Sequence, residues 1–363
     1  MRIDSLADQL GQAVVQQLLA KYTTVEEYLL SKCHELSQSN PLPQLGHELV
    51  AAEAVLDQFL SWHLAPPAVS ALALHDQLRD ELRILPTGCD GLDTLLGNGL
   101  REGCVVEFAG ESSAGKTQVC HMAAAATALR AEGVVYVDTT NAMSPARLLQ
   151  AAEAMQAGTN TSEVLRCVHV ARPHNIYELF DVLCEVNARC ESLPRTGHTQ
   201  PGPGLPATPA RPLVPRPCLL IVDSLSAVVS PVVGNPKHSQ GFTLLACIGR
   251  LLRQLADTHR LAVVVTNHMV AARGGSEQER EREASSRSGS GLRVLVPALG
   301  EVWRSQVHTR LVLQLAPGSG PEGPRQAVLA ASSISVAGAS AWFTITAAGL
   351  QDYEPRLTSP AAV

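Results

Sequence analysis

Residues 110 to 117 read Gly110-Glu-Ser-Ser-Ala-Gly115-Lys116-Thr117, and no other stretch constrains the fold of this chain as strongly. The spacing G-x-x-x-x-G-K-[ST] is a phosphate-binding loop, and it works at the turn from a β-strand into a helix. The glycines let the backbone wrap a polyphosphate while successive N–H groups point inward. The following helix presents its positive N-terminal end. Both flanks agree: Val105-Val106-Glu107-Phe108-Ala109 is β-prone, and Gln118 to Arg130 is Ala-rich and helix-prone. A chance match in a Gly/Ser-rich turn would not need both. Gly110, Glu111, Ser112, Ser113, Ala114, Gly115, Lys116, Thr117 and Gln118 are therefore the candidate nucleotide contacts. Lys116 is placed for the β- and γ-phosphates and Thr117 for Mg²⁺, so the implied ligand is a nucleoside polyphosphate with Mg²⁺.

At 363 residues the chain exceeds one ordinary core. A prior of ~150 residues per domain predicts two domains, or a large one with a small companion. Apolar residues make up 45%, enough for a packed interior. Aromatic residues make up only 4%, so stacking platforms for single-stranded nucleic acid are scarce. A net charge of −6 argues against a strongly basic nucleic-acid binder. Nine cysteines occur without a C-x-x-C pair, which disfavours zinc. Several, such as Cys218 and Cys247, sit in apolar runs and read as reduced core residues of an intracellular protein. The N-terminus lacks a signal-peptide core, and no run of ~20 apolar residues predicts a membrane span.

Residues 1–62 read as an all-helical docking domain. Leu6, Leu10, Val14, Leu18 and Leu19 recur at helical spacing, and Thr24-Val-Glu-Glu27 is a capping box. Three basic and eight acidic residues give this segment a charge of −5, the wrong sign for gripping DNA. A Pro-containing linker covers 63–83. The main domain, 84–353, alternates: strand 104–109, helix 117–130, strand 134–138, helix 144–156, strand 166–170, helix 175–190, strand 218–222, helix 242–258, strand 261–266. That alternation predicts an α/β fold with a mostly parallel sheet. The near-continuous apolar strands at 218–222 and 261–266 are expected to be buried on both faces. Three or more strands follow within 308–353. Residues 191–217 carry eight prolines and read as a disordered insertion. Residues 270–293 read as a long mobile loop, and 354–363 as a disordered tail.

Cys218-Leu219-Leu220-Ile221-Val222-Asp223-Ser224 is an apolar strand ending in a carboxylate, about 100 residues after the phosphate loop. Asp223 is the expected Mg²⁺ partner. Water attack also needs an orienting group. Asp138-Thr139-Thr140-Asn141 and Thr266-Asn267-His268 are the candidates. His268 either senses phosphate or holds a Mg²⁺-linked water, or it is simply a polar strand end.

With these pieces in view, a family resemblance emerges. Leu85-Pro86-Thr87-Gly88, Gly91-Leu92-Asp93 and Leu95-Leu96-Gly97 precede the phosphate loop, and Gln118-Val-Cys-His121 closes it. With Leu220-Ile-Val-Asp-Ser224 and Val264-Val-Thr-Asn267, they resemble the eukaryotic and archaeal branch of the RecA recombinases. Asp223 to Pro231, Thr266-Asn-His268, Pro297-Ala-Leu-Gly300, Trp303 and Thr309-Arg310-Leu311 are similar to the D-type paralogues of that branch. The resemblance spans roughly 84–353.

It implies a RecA-like P-loop ATPase core with a small N-terminal helical domain. It further implies a nuclear protein of DNA-damage repair, homologous recombination and telomere maintenance. The implied partners are other recombinase paralogues: the C-type, the X-ray-repair cross-complementing paralogue and the B-type. Single-stranded or branched DNA is the implied nucleic-acid partner. The family's first DNA loop maps to about Ser230–Gly241, with Lys237 and His238. Its second maps to about Met269–Val296, with Arg273, Arg280, Arg282, Arg287 and Arg293.

The departures matter as much. The resemblance places a catalytic glutamate two residues after Asp138, where this chain has Thr140, which cannot act as a general base. His268 stands where relatives often have Gln. Lys116 and His268 are left as the candidate catalytic groups, and hydrolysis is expected to be weak. Four glutamates (277, 279, 281, 283) dilute the arginines of the second loop. The linker has no Phe-x-x-Ala tether, which favours a hetero-oligomer over a self-polymerised filament.

Overall fold

The computed structural model describes residues 2–29, 31, 51–57, 59, 70–75, 82–158, 160–193, 215–233, 240–271 and 295–355. Lys237, His238 and the five second-loop arginines lie outside the described residues, as do most of the Pro-rich insertion and the linker. The chain divides into two compact units, 1–81 and 82–363.

The first unit is helical around a core of Ile3, Leu6, Val15, Leu18, Tyr22, Val25, Tyr28, Ala52 and Leu56. The stripe read from the sequence is interrupted at Gly11, whose φ of +86° ends helix Ala7–Leu10 before Gln12–Leu19 begins. Register is lost across that break, so Val15 is buried and Leu19 faces out. The Thr24 cap forms, its Oγ1 accepting from Glu27 N at 3.1 Å, while the Glu27 carboxylate reaches one residue further back and accepts from Thr23 N at 2.7 Å rather than from the cap's own N–H. Glu53 is buried but satisfied, accepting from Tyr22 Oη at 2.9 Å and Lys21 Nζ at 3.3 Å.

In the second unit β1 (Ile84–Leu85) pairs with β2 (Leu100–Arg101) across helix α1 (Asp90–Leu95). The sheet proper then alternates with helices: β3 (Val105–Gly110), α2 (Lys116–Leu129), β4 (Gly133–Asp138), α3 (Pro145–Met155), α4 (Thr161–Cys167), β5 (Val168–Ala171), α5 (Ile176–Ser192) and β6 (Pro217–Asp223). It continues through α6 (Leu225–Val233), α7 (Gln240–His259), β7 (Ala262–Ala271), β8 (Leu295–Pro297), α8 (Gly300–Arg304), β9 (Thr309–Leu315), β10 (Arg325–Ser332), β11 (Ser340–Thr346) and β12 (Gly349–Asp352). The spatial order is β12-β11-β10-β9-β3-β7-β6-β4-β5, with β8 paired to β7. From β9 to β5 neighbouring strands are parallel, and β10 to β12 extend the sheet antiparallel. This is the mixed α/β, largely parallel architecture expected from the alternation.

One face of the sheet packs on α1 to α4 and the other on α5 to α8. Alternation along each strand sorts the residues: Val106 and Phe108 enter the first core, Val105 the second. β6 is buried along its whole length, as its unbroken apolar run predicts. The Ala123–Ala126 run of α2 is buried and brings that helix close to the sheet.

Several boundaries moved. Residues 166 and 167 end helix α4 rather than begin a strand, because the Asn160 side chain caps Ser162 N at 3.1 Å and winds the segment. Ser230–Val233 continue α6, Gly241 lies in α7, and Met269–Ala271 extend β7 against β8, so both mapped loops are trimmed by regular structure. Cys247 is exposed, off the α7 stripe of Leu245, Ile248, Leu252 and Leu255 that faces the core.

A buried ion pair pins three central strands. Glu107 on β3 has no exposed surface; it accepts from Arg310 Nε on β9 and from Asn267 Nδ2 on β7 at 2.7 Å. Arg310→Met leaves that carboxylate unpaired in the core, and urea unfolding should show a loss of ~3–5 kcal/mol. Converting both partners to apolar residues (Glu107→Leu with Arg310→Met) should recover most of it. A single-variant loss under ~1 kcal/mol would show the pair to be incidental.

Candidate functional site

The carboxyl ends of β3, β4, β6 and β7 meet along one edge of the sheet. Gly110 pairs with His268, Asp138 with Asp223, and Val222 with Val265. In open α/β sheets this edge is where ligands bind. Above it lies a cavity of about 560 Å³ lined by Ser112, Ser113, Gly115, Lys116, Thr117, Gln118, Thr140, Arg147, Asp223, Ser224, His268, Pro321, Arg325 and Ile345.

The loop is built as its glycines require. Gly115 has φ +100°, and a Cβ there would meet Ile345 Cδ1 at 3.0 Å and Arg325 Cδ at 3.3 Å. At Gly110 a Cβ would lie 2.5 Å from the Leu313 carbonyl oxygen of β9. Lys116 opens α2 and is buried, its Nζ donating to the carbonyls of Gly110 at 2.8 Å and Glu111 at 2.7 Å. Burial holds its pKa below the ordinary value, against the raising effect of Asp223. Of the nine residues read as nucleotide contacts, Gly110, Glu111 and Ala114 do not line the cavity. The first two instead offer their carbonyls to Lys116, and Ala114 packs into the core.

Asp223 is held from two sides. Its Oδ1 accepts from Thr266 Oγ1 at 2.6 Å and its Oδ2 from Tyr136 Oη at 2.9 Å. These donors come from β7 and β4, the strands flanking β6, and they aim the carboxylate toward the cavity that Thr117 also lines. An Mg²⁺ ion takes one or two protein oxygens and completes its shell with water and phosphate. Thr117 and Asp223 suit that donor count. No cluster of three or more His, Cys, Asp or Glu that would form a protein cage occurs among the described residues.

Thr140 and His268 both line the cavity. Thr140 is exposed at the mouth and offers only a hydroxyl. Asp138, two residues earlier, is turned away: its oxygens accept the backbone N–H groups of Thr140, Ala142 and Met143 at 3.0–3.3 Å. Among the described residues, Asp223 is the only lining carboxylate. Burial, then the charge of Lys116, holds the His268 imidazole below its ordinary pKa, so the ring is neutral at pH 7.

Two arginines escaped the sequence reading. Arg147 on α3 donates to Gln118 Oε1 at 2.8 Å and to the carbonyls of Thr346 at 2.5 Å and Ala347 at 2.6 Å. Arg325 at the start of β10 donates to the carbonyls of Ser113, Gly323 and Pro321. The partners of each lie up to about 200 residues away, beyond any local signal. Thr266 had a signal, a polar residue closing an apolar strand.

The family model for Rad51 matches residues 78–192. The DNA repair protein RAD51 homolog 4 of Mus musculus is 31% identical over 325 residues, covering 88% of this chain and 86% of the relative. The chain belongs to the Rad51 family. The Bos taurus protein of the same name matches to the same extent. The DNA repair protein RAD51 of Mycosarcoma maydis is 30% identical over 70% of this chain and 68% of its own length. Membership makes this a RecA-like, ATP-binding protein of DNA repair and recombination. No helix among the described residues is long and apolar enough to cross a membrane.

Arg325 ties the 316–324 loop to the phosphate loop. Arg325→Ala removes three charge-assisted hydrogen bonds, each worth ~1.5–3 kcal/mol. Amide exchange across 316–324 should quicken by at least about tenfold, and unchanged exchange would mean that the loop is held by other contacts.

Proposed function

We propose that this chain is an ATP-binding, weakly hydrolysing subunit of a recombinase-paralogue hetero-oligomer. It binds single-stranded or branched DNA and assists recombinase filament assembly in the nucleus. One observation carries the enzymatic half: Lys116, Thr117 and Asp223 line one cavity in which Thr140 contributes no carboxylate. Lys116 and the loop amides would hold the phosphates of ATP, and Thr117 and Asp223 would hold Mg²⁺. When bound, the metal would neutralise charge on the phosphates. The residues here supply binding and orientation. With Asp138 spent on backbone N–H groups and Asp223 taken up by Mg²⁺ were it bound, no lining carboxylate among the described residues would be free to take a proton from water. The neutral His268 is the remaining orienting group.

The partner half rests on the family match to the RAD51 homolog 4 proteins and on the acidic N-terminal segment. The C-type and X-ray-repair cross-complementing paralogues are the proposed partners. Lys237, Arg273, Arg287 and Arg293 are the proposed DNA contacts. The bare Thr140 position also favours a second reading, a nucleotide-stabilised scaffold without functional turnover.

Two substitutions separate these readings. Lys116→Ala should abolish binding of a fluorescent ATP analogue and, on the first reading, also partner capture and repair complementation. Full complementation by Lys116→Ala would overturn the ATP-dependent reading and leave a scaffold that does not need nucleotide. Thr140→Glu restores a carboxylate at the cavity mouth and should raise single-turnover hydrolysis by at least about tenfold, a fraction of the ~10²–10⁴ a general base supplies. An unchanged rate would locate the deficit elsewhere. For the docking role of residues 1–62, their deletion should remove paralogue capture in pull-downs while gel-shift affinity for DNA falls by less than about threefold. Equal loss of both would count against it.

A further inference from the structure

His121 lies four residues after Thr117 on α2, on the same helix face. It is 2% exposed. Its Nε2 accepts the backbone N–H of Ser144 at 3.1 Å, and Ser144 is the N-cap of α3. The donor is unambiguous, so the neutral ring carries its proton on Nδ1. That Nδ1–H is buried with no hydrogen-bond partner among the described residues. The ring stacks on Tyr136, centroids 5.9 Å apart at 22°, and Tyr136 Oη donates to Asp223. Asp223, Arg147 and Asp138 are the charged groups around the ring; burial, joined by Arg147, outweighs the two aspartates and holds its pKa down.

An imidazole is a poor choice for packing alone, because an apolar ring would fill the space without burying an unpaired N–H. What this ring gains is the Nε2 acceptor. Through it, α2 grips the β4–α3 turn, which carries Thr140 and leads into Arg147, two residues that line the cavity. Through its face, it backs the tyrosine that aims Asp223.

We propose that His121 is a positioning residue for the nucleotide site. As the neutral Nδ1–H tautomer it holds the β4–α3 turn, with Thr140 and Arg147, against α2, and it backs the Tyr136–Asp223 pair beside Thr117. The inference rests on the nucleotide-binding reading given above.

The test titrates the full chain with a fluorescent N-methylanthraniloyl derivative of ATP in the presence of Mg²⁺. His121→Leu keeps volume and loses the acceptor, and should weaken binding by about tenfold. His121→Gln offers a carbonyl oxygen to Ser144 N–H and should stay within about threefold of the parent. Because His121 acts through the α3 start, its loss should add little in an Arg147→Ala background. A residue that merely stabilises the fold would weaken binding in both His121 variants and additively with Arg147→Ala, and that pattern overturns the proposal, as does full affinity in His121→Leu. If the unsubstituted chain fails to bind the analogue, the nucleotide reading itself is lost. If binding is intact and only the His121 effect is missing, this inference alone falls. Should His121→Leu not fold, ¹⁵N–¹H correlation spectra of the histidine-labelled parent decide. The Nδ1–H tautomer supports the assignment, and an Nε2–H or charged ring at neutral pH refutes it.

Discussion

The parallel ladder that seats β7 between β3 and β6 sets the spacing of everything at the candidate site. Through it Gly110 stands opposite His268, and Val222, one residue before Asp223, stands opposite Val265. A slip of one residue would turn each strand's side chains to the opposite face of the sheet. The register is held by burial on both faces and, at mid-strand, by the Glu107 carboxylate shared between Arg310 and Asn267. Asn267 is the residue before His268, so a buried charge in the core directly underlies a cavity wall.

Around that ladder the polar residues are arranged to orient one another rather than to react. Asp223 is aimed by Tyr136 and Thr266, Tyr136 is backed by His121, and Lys116 rests on two loop carbonyls. Burial holds Lys116, His121 and His268 below their ordinary pKa values, so the two imidazoles are neutral and the lysine is the main positive charge beside Asp223. Such a site suits holding a polyphosphate with its metal. Among the described lining residues Thr140 offers only a hydroxyl, and Asp138 points into the backbone turn.

Much of this was legible in order along the chain. The phosphate loop is contiguous, and its flanks declare strand and helix through β-branched and Ala-rich runs. The strand ending in Asp223 is visible because a parallel, doubly covered strand is apolar throughout. The helix at Thr161–Cys167 was not announced, and its last two residues read as strand, because its cap, Asn160, follows a Gly-containing turn with little apolar periodicity. Arg147 and Arg325 gave no warning, since their partners at 346–347 and at Ser113 are brought near only by the folded sheet.

By itself, then, the sequence determined the local chemistry on offer: a loop with phosphate-binding spacing, a carboxylate at a strand end, and a threonine two residues after Asp138. These are consequences of backbone freedom and side-chain type over a few residues, which need no knowledge of the rest of the chain. The tertiary structure alone decided which of those residues share a cavity, that three of nine loop positions stay out of it, that two arginines complete its walls, and that the buried His121 backs Tyr136 behind them. Those outcomes depend on strand order and on burial, which arise only when segments up to about 200 residues apart are packed together.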